Sequence, residues 1–567
     1  EAAAVSISVP RLMRWANHNR RFVRPVRGIL AMHGSRVLKI SCLGMKSSTA
    51  TPGHRARAPQ PRPVGKAASY AKTLATGHKV IVDIQARQQA IEQQAAKLAV
   101  PDRLVSDPKL VAENAAMSEN PQVYAAAFGR EFLKLPAAVI GSCLKRHMRC
   151  FILKKRTGKL AARFLLVADN RPAGGGALIV KGFERVVAAR LADARFYWDS
   201  DRREIASGVH ERKLAALVYH PRLGSMMARI ARIIRVAEWL AESKVFADAD
   251  AKAAVALAAA RLCKLDLATH MIDEYPQLEG IMAACYFGEA AGERIAELVA
   301  GHLDAGRDAD PSDRAHWPLV VATEAERLAG LLAAGERLAA DRDPHGLRRC
   351  ATRLAVVLAR QPGVELRSLF ASLAQAALAG EQIAGKAVDP AQVAKIMVAM
   401  TIERIRHQSA EILDLAKPAS AALVNAIVEP DAEQIMIGGY AGRIQALDAF
   451  LASSAGATLI AAHKRVANIL RKSDQPDAAA GKLVEAAEIG LGKALDRTSA
   501  ALDAALARGS YERALNSLTA LDAPVKRFFA EVMVNVSDPK LRAARLELLA
   551  RLNSQLNRVA NLGRLSG

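Results

Sequence analysis

Leu459-Ile-Ala-Ala-His-Lys-Arg-Val-Ala-Asn-Ile-Leu-Arg-Lys-Ser473 alternates apolar and basic residues at helical spacing. On a helix the apolar residues form one stripe that faces a core, and the basic residues fall on the other side at i, i+1, i+4, i+7 and i+8. The apolar stripe consists of Leu459, Ala462, Val466, Ile469 and Leu470, and the outer face of Lys464, Arg465, Asn468, Arg471 and Lys472. Four cations and an amide on one face suit contact with a sugar-phosphate backbone. An ordinary amphipathic helix with a solvated basic face has the same pattern, so the pattern alone leaves both interpretations open.

Helical periodicity extends over most of the chain beyond Phe196. Met226, Ile230, Ile233, Ile234 and Ala237 form an i, i+4, i+7, i+8, i+11 stripe. The leucines and the valine between positions 541 and 562 predict one more packed helical face. No internal repeat has a fixed period, which argues against a solenoid. We therefore predict a predominantly α, multidomain protein.

The first two hundred residues are mixed. Residues 1–66 are typical of short strands and loops, residues 67–130 are helical in pattern, and residues 131–200 return to mixed structure. Two apolar runs, Phe151-Ile-Leu and Arg163-Phe-Leu-Leu-Val-Ala, flank Arg156-Thr-Gly-Lys, a plausible β-hairpin turn. The sequence thus predicts an α+β region ahead of the helical remainder.

Positive charge is concentrated in two segments. The 567 residues include 80 Lys and Arg against 56 Asp and Glu, a net charge of +24. Residues 1–66 contain thirteen Lys or Arg and one acid, and residues 134–163 contain nine and no acid. Clustered cations attract a polyanion because neutralised phosphates release counterions, so RNA or another polyanion is the favoured partner. A solvated basic surface and an Arg-rich transit peptide are the alternatives. A membrane partner is not expected, because neither segment is an amphipathic helix with aromatic anchors.

The sequence has no catalytic signature. It contains no phosphate-binding G-x-x-x-x-G-K-[ST] or G-x-G-x-x-G loop, no G-x-S-x-G elbow and no His-Asp dipeptide. The six cysteines are scattered without zinc-site spacing, which suits a reducing cytoplasm. No apolar run approaches the ~18 residues of a membrane span. We expect no catalytic residue and no metal ligand in this chain.

Several blocks of sequence resemble one known family. Lys464-Arg-Val-Ala-Asn-Ile-Leu is followed by Ser510-Tyr-Glu-Arg-Ala-Leu and by Pro524-Val-Lys-Arg-Phe-Phe. Upstream lie Arg190-Leu-Ala-Asp-Ala-Arg-Phe-Tyr and Lys264-Leu-Asp-Leu-Ala-Thr-His-Met-Ile-Asp-Glu-Tyr-Pro-Gln-Leu-Glu-Gly. In this order, over nearly the whole chain, the blocks resemble the bacterial glycyl-tRNA synthetase beta subunit without the family's first hundred-odd residues.

The resemblance implies a function and partners. It implies a tetramer of two alpha and two beta subunits, in the cytoplasm, in which the alpha subunit uses ATP to activate glycine and the beta subunit binds tRNA(Gly). No cofactor is expected in this chain. The basic face of 464–472 would contact the anticodon stem-loop, and the N-terminal basic segments would contact tRNA or the partner. The residues predicted to bind tRNA are Lys464, Arg465, Asn468, Arg471, Lys472, Arg21, Arg24, Arg27, Lys145, Arg146 and Arg149.

The resemblance also implies a domain division. We expect an HD-hydrolase-like helical middle and a helical anticodon-binding C-terminal domain. The expected segments are 1–66 (basic α+β), 67–130 (helical insert), 131–200 (α+β body), 201–355 (HD-like), 356–440 (helical linker) and 441–567 (anticodon-binding).

Some family motifs are altered in this chain. The family's His-His-Gln-x-Tyr-Phe is Arg146-His-Met-Arg-Cys-Phe here, and its Thr-x-Gly-His-Arg-Phe is Thr51-Pro-Gly-His-Arg-Ala. Such changes leave the fold intact but put aminoacylation in question. The alternative is therefore a diverged RNA-binding relative that no longer supports charging.

Overall fold

A computed structural model describes most of the chain. The described residues are 6, 9, 11–15, 21–243, 245–246, 249–303, 314–338, 343–383, 386–429, 435–472 and 481–566. They form two compact units, the first containing residues 1–206 and 273–278 and the second containing residues 207–272 and 279–567. The structure is predominantly α-helical, as the periodicity predicts.

The first unit begins with short strands, as expected for residues 1–66. Strand β3 pairs in parallel with β7, and β7 pairs antiparallel with β6. The strands are β1 (Met13–Arg14), β2 (Arg21–Phe22), β3 (Ile29–Leu30), β4 (Met32–His33), β5 (Arg36–Val37), β6 (Ser41–Cys42), β7 (Met45–Ser48), β8 (Ala50–Thr51) and β9 (Arg62–Pro63).

A four-stranded antiparallel sheet forms the body of this unit. Its order is β10-β12-β13-β11, with β10 (Arg103–Leu104), β11 (Gln122–Ala127), β12 (Phe151–Lys154) and β13 (Leu160–Ala168). The predicted turn joins β12 to β13, and Gly158 there has a φ of +83°, a conformation open to glycine. The unit's helices are α1 (Tyr70–Thr73), α2 (Ile84–Ala99), α3 (Pro108–Met117), α4 (Ala137–Ser142) and α5 (Ala177–Ala206).

The segment 67–130 contributes strands as well as the expected helices. Helices α2 and α3 bury Ile91 and Leu110 against Val123, Phe151 and Leu165 of the sheet. Strand β11 has the sequence Gln-Val-Tyr-Ala-Ala-Ala, whose alanines favour a helix. It is extended because all six residues pair with β13, so tertiary pairing overrides local propensity here.

In the described residues of the second unit the regular structure is helical except for two short ladders, β14 (Val218–His220) with β15 (Gly224–Ser225) and β16 (Gln382–Ile383) with β17 (Lys386–Ala387). Its first helices are α6 (Val209–Ala216), α7 (Met226–Ser243) and α8 (Ala249–Leu262), and α9 (His270–Glu274) crosses the division between the units. The helices that follow are α10 (Ile281–Ala291), α11 (Glu293–Gly301), α12 (Trp317–Ala333), α13 (Leu347–Leu358), α14 (Leu366–Leu378), α15 (Pro390–His407), α16 (Ser409–Ile412), α17 (Ala421–Ile427), α18 (Tyr440–Leu451), α19 (Ser454–Lys472), α20 (Ala486–Ala507), α21 (Tyr511–Leu518), α22 (Asp522–Glu531) and α23 (Pro539–Leu556).

Helix α12 lies at the centre of this unit and is buried on nearly all sides. Helix α7 packs on it with the predicted stripe, but Arg229 and Arg232 of α7 are buried too. Both arginines donate to the fully buried carboxylate of Glu326, at 3.0 and 2.9 Å. A buried charge needs a partner, and α12 supplies it from inside the core.

The apolar core of the second unit is continuous from Leu223 to Leu562. This core crosses the predicted domain boundaries at 355/356 and 440/441, and those boundaries stay predictions.

Within the described residues, no single helix has the length and hydropathy of a membrane span. The bent helix pair Ile437–Leu451 and Gly456–Lys472 has that length and hydropathy only when its two helices are counted together.

Candidate nucleic-acid interface

Helix α19 has the two faces that its sequence predicts. Leu459 and Val466 are fully buried, and Ala462, Ile469 and Leu470 pack partly buried against the same core. Ser473, the last residue of the quoted segment, lies outside the described residues. The five predicted contact residues are all exposed: Lys464, Arg465, Asn468, Arg471 and Lys472.

A buried histidine fixes the position of α19. His463 is 3% exposed, and its Nε2 accepts a hydrogen bond from the side-chain amide of Asn557, just past the end of α23, at 3.1 Å. The Asn557 Oδ1 in turn accepts from the backbone N–H of Leu562 at 2.9 Å. Burial lowers the pKa of His463, so this residue is neutral at physiological pH. It positions the basic face without adding charge to it.

The cations of α19 lack carboxylate partners, whereas cations on neighbouring helices have them. Within the described part of the chain, no Asp or Glu pairs with Lys464, Arg465, Arg471 or Lys472. On α22 and α23 most cations are paired: Lys526 with Asp522, Arg527 with Glu531, Arg545 with Glu488 and Arg551 with Asp496. The α19 face therefore carries uncompensated positive charge, which is what a phosphate backbone neutralises.

Arg465 also contacts an aromatic ring. Its guanidinium carbon lies 4.2 Å from the ring centre of Phe529, on α22. One turn further along α19, Arg471 donates to the Asn468 side-chain oxygen at 2.8 Å. Arginine planes and aromatic rings stack on unpaired RNA bases, and amides hydrogen-bond to base edges. The face thus combines groups for phosphates with groups for bases of a loop.

Arg21, Arg24 and Arg27 are exposed at and after strand β2. No carboxylate among the described residues pairs with any of the three. They are therefore available to an anionic partner.

Lys145, Arg146 and Arg149 are largely engaged within the protein. Lys145 pairs with Asp107 at 2.8 Å, and Arg149 lies 4.0 Å from a carboxylate oxygen of Glu113. Arg146 donates to the Gln277 side-chain oxygen. Against the effect of burial, the Lys145 hydrogen bond lowers the pKa of Asp107, so this carboxylate is ionised at neutral pH. The acid-free run of sequence is therefore partly compensated by acids from elsewhere in the unit.

Sequence reasoning missed two features. Phe529 lies in one of the family blocks, but nothing in the sequence places it under Arg465. The exposed cations beside the β12–β13 turn, Lys154, Lys155, Arg156 and Lys159, were counted as charge but not selected as a site. The turn motif itself was the signal that could have identified them.

The helical middle contains a buried polar cluster. Lys264 Nζ lies 2.6 Å from Glu279 and 3.1 Å from His302 Nε2. Asp266 accepts the backbone N–H groups of Gly280 and Ala283, at the start of α10, with one oxygen, and its other oxygen has no partner. Burial and the nearby Glu279 carboxylate raise the pKa of Asp266 to about 7, and burial lowers that of His302 well below its usual value. These contacts join α10 and α11 to the 264–269 turn. The cluster therefore stabilises the packing of these elements.

One group in the first unit has metal-ligand residue types. His54 Nε2 lies 3.3 Å from Asp169 Oδ1, with Glu119 beside them. His54 Nδ1, however, accepts from the backbone N–H of Ala56 at 3.2 Å. One ring nitrogen is thus engaged by the backbone, and the other, Nε2, has no hydrogen-bond partner among the described residues.

Comparison with known proteins identifies the family. Residues 1–428 match the family model described as glycyl-tRNA synthetase beta subunit, and residues 459–562 match the DALR anticodon binding domain. The glycine–tRNA ligase beta subunit of Rhodospirillum centenum is 33% identical over 607 residues, covering 98% of this chain and 81% of that protein. Those of Methylobacillus flagellatus and Dechloromonas aromatica are 34% and 35% identical, covering 100% of this chain and 79% and 80% of theirs. The chain belongs to the glycyl-tRNA synthetase beta subunit family.

Proposed function

We propose that this chain is the tRNA-binding subunit of a glycine–tRNA ligase in the cytoplasm. In this proposal it presents tRNA(Gly) to an alpha subunit, which activates glycine with ATP and transfers it, in an assembly of two alpha and two beta subunits. The observation that carries the proposal is the uncompensated basic face of α19, inside the segment that matches an anticodon-binding domain. The described residues of this chain supply binding surfaces, and the chemistry is assigned to the partner.

The chemical roles on α19 follow from its geometry. Lys464, Arg471 and Lys472 are exposed cations that would neutralise phosphates and set the register of the RNA. Arg465 over Phe529, with Asn468 one turn away, suits an unpaired base of the anticodon loop. The buried His463–Asn557 contact holds these groups on one rigid surface.

A charging assay tests the proposal. The full chain is combined with an alpha subunit from a related bacterium, and transfer of labelled glycine to tRNA(Gly) is measured with and without ATP. We expect transfer that needs both subunits, and a large loss of transfer at limiting tRNA for the variant R465A/R471A. The control variant K395Q/K417Q removes two exposed cations elsewhere in the same unit and should charge like wild type.

The altered motifs favour one alternative, a diverged RNA-binding relative. Arg146, which replaces the first histidine of the family's His-His-Gln motif, is hydrogen-bonded to Gln277. Tight tRNA binding without glycine transfer would support that alternative. A chain that neither binds tRNA nor supports transfer would contradict both.

A further inference from the structure

The tip of the β12–β13 hairpin carries a dense group of cations. Strand β12 ends at Lys154, the turn contains Lys155 and Arg156, and Lys159 precedes β13. On the neighbouring strand β10, Arg103 lies directly opposite Lys154 in the antiparallel register. We call these five exposed residues the basic tip: Arg103, Lys154, Lys155, Arg156 and Lys159.

The basic tip is uncompensated within the protein. No carboxylate among the described residues pairs with any of its five members. Asp102, next to Arg103 in sequence, is engaged by Arg163 at 2.7 Å. Like charges directly opposite on paired strands destabilise a sheet, so the Arg103–Lys154 pair has a cost that an anionic ligand would remove.

The backbone holds the tip in a defined shape. The Lys155 N–H donates to the Lys159 carbonyl at 2.8 Å, and the Gly158 N–H donates to the Lys155 carbonyl at 2.9 Å. Both strands belong to the four-stranded sheet, with Phe151 and Leu165 buried in its core. The cations therefore project from a rigid scaffold, and little backbone order has to be gained on binding.

We infer that the basic tip is a second RNA-binding site, which grips the sugar-phosphate backbone of a double-stranded part of the RNA. The inference rests on the proposed function for the identity of the ligand as RNA. The sequence 154–159 is Lys-Lys-Arg-Thr-Gly-Lys, which has no aromatic or amide side chain to read a base and no apolar side chain to enter a membrane. Its contacts are phosphate contacts, independent of base sequence.

Binding of two labelled probes to the full-length chain tests the inference, with affinity measured across a salt series. The probes are a short blunt RNA duplex and an isolated anticodon stem-loop. For K155Q/R156Q we expect duplex binding at least ~10-fold weaker at low salt, with a salt slope smaller by about two, because two phosphate contacts are lost. Stem-loop binding should be unchanged. The variant K155R/R156K keeps the charge and should bind the duplex like wild type.

Two further variants separate this inference from the proposed function. R465A/R471A should lose stem-loop binding and keep duplex binding, and K395Q/K417Q, which removes two exposed cations elsewhere, should keep both. Stem-loop binding that survives in R465A/R471A would overturn the role of α19 and leave the tip inference standing. Unchanged duplex affinity and salt slope in K155Q/R156Q, or equal losses in K155R/R156K, would overturn the tip inference.

Discussion

Helix α19 and the π-helix Cys143–His147, with Arg149 just after it, are both rich in cations, but the structure uses them differently. On α19, Lys464 and Arg471 have no carboxylate partner among the described residues. In and just after the π-helix, Lys145 and Arg149 face Asp107 and Glu113, residues distant in sequence. The comparison shows that a cluster of cations in the sequence does not by itself indicate a polyanion site. The acidic residues that the fold brings next to those cations must be counted as well.

The extreme case of compensated charge is Arg229 and Arg232 with Glu326. All three are buried in the second unit, so Glu326→Ala would remove the carboxylate that both guanidinium groups share and leave Arg232 only Glu381, at 3.6 Å. We expect a loss of about 3–5 kcal/mol in the stability of that unit. Denaturant unfolding followed by circular dichroism measures it. A decrease in the free energy of unfolding of less than ~1 kcal/mol would show that the Glu326 carboxylate does not stabilise this unit through the two arginines.

The central comparison predicts a large difference between two double variants in tRNA binding. R465A/R471A removes uncompensated cations and should weaken binding by roughly 30-fold at ~0.1 M salt, because the phosphate contact of Arg471 and the base contact of Arg465 are lost. K145Q/R149Q removes paired cations and should weaken it less than ~3-fold. Equilibrium binding to tRNA(Gly) measures both. Equal losses in the two variants would break the distinction between paired and unpaired cations.

Asp266 tests the difference between paired and unpaired charges inside the core, because one oxygen of its carboxylate has no hydrogen-bond partner. Its folded pKa of about 7 is above its ordinary value of 3.8, so the folded state binds a proton more tightly than the unfolded state. The stability that this proton provides is lost as the pH rises from about 4 to 7. Asp266→Asn should therefore be more stable relative to wild type at pH 8 than at pH 5, by ~2–3 kcal/mol. Thermal melts across that range test this, and a constant difference would contradict it.

The smallest expected effect concerns Arg465 and Phe529. Arg465→Lys keeps the charge but removes the planar group over the ring, so a loop base loses part of its stacking surface. We expect roughly 3- to 10-fold weaker binding of the anticodon stem-loop with an unchanged salt slope. Unchanged stem-loop affinity would indicate that Arg465 acts through its charge alone.

Much of the fold can be predicted from periodicity. The apolar stripe of α7, the two faces of α19 and the β-hairpin around Gly158 all lie where spacing and turn residues place them. The same periodicity predicts that the final helical face extends to Leu562, but α23 ends at Leu556 with Asn557 as its C-cap. The alanine-rich strand β11 was not predicted, because its extended form depends on pairing with a strand far along the chain.

The candidate site was predicted only in part, for a physical reason. Sequence spacing identifies which residues share the outer face of α19, because that relation is local. Whether a cation is free depends on acids brought in by the fold, as with Asp107 beside Lys145. Phe529 under Arg465 and His463 behind the basic face are contacts between helices, which spacing within one helix does not reveal.

The most direct test of the central claim is the salt dependence of tRNA(Gly) binding by the full-length chain, compared between wild type and R465A/R471A. If the α19 face neutralises phosphates, the slope of log affinity against log salt concentration should fall in magnitude by about one, because Arg471 contacts a phosphate and Arg465 a base. Unchanged affinity and an unchanged slope in the double variant would contradict the assignment of α19 as the tRNA-binding helix.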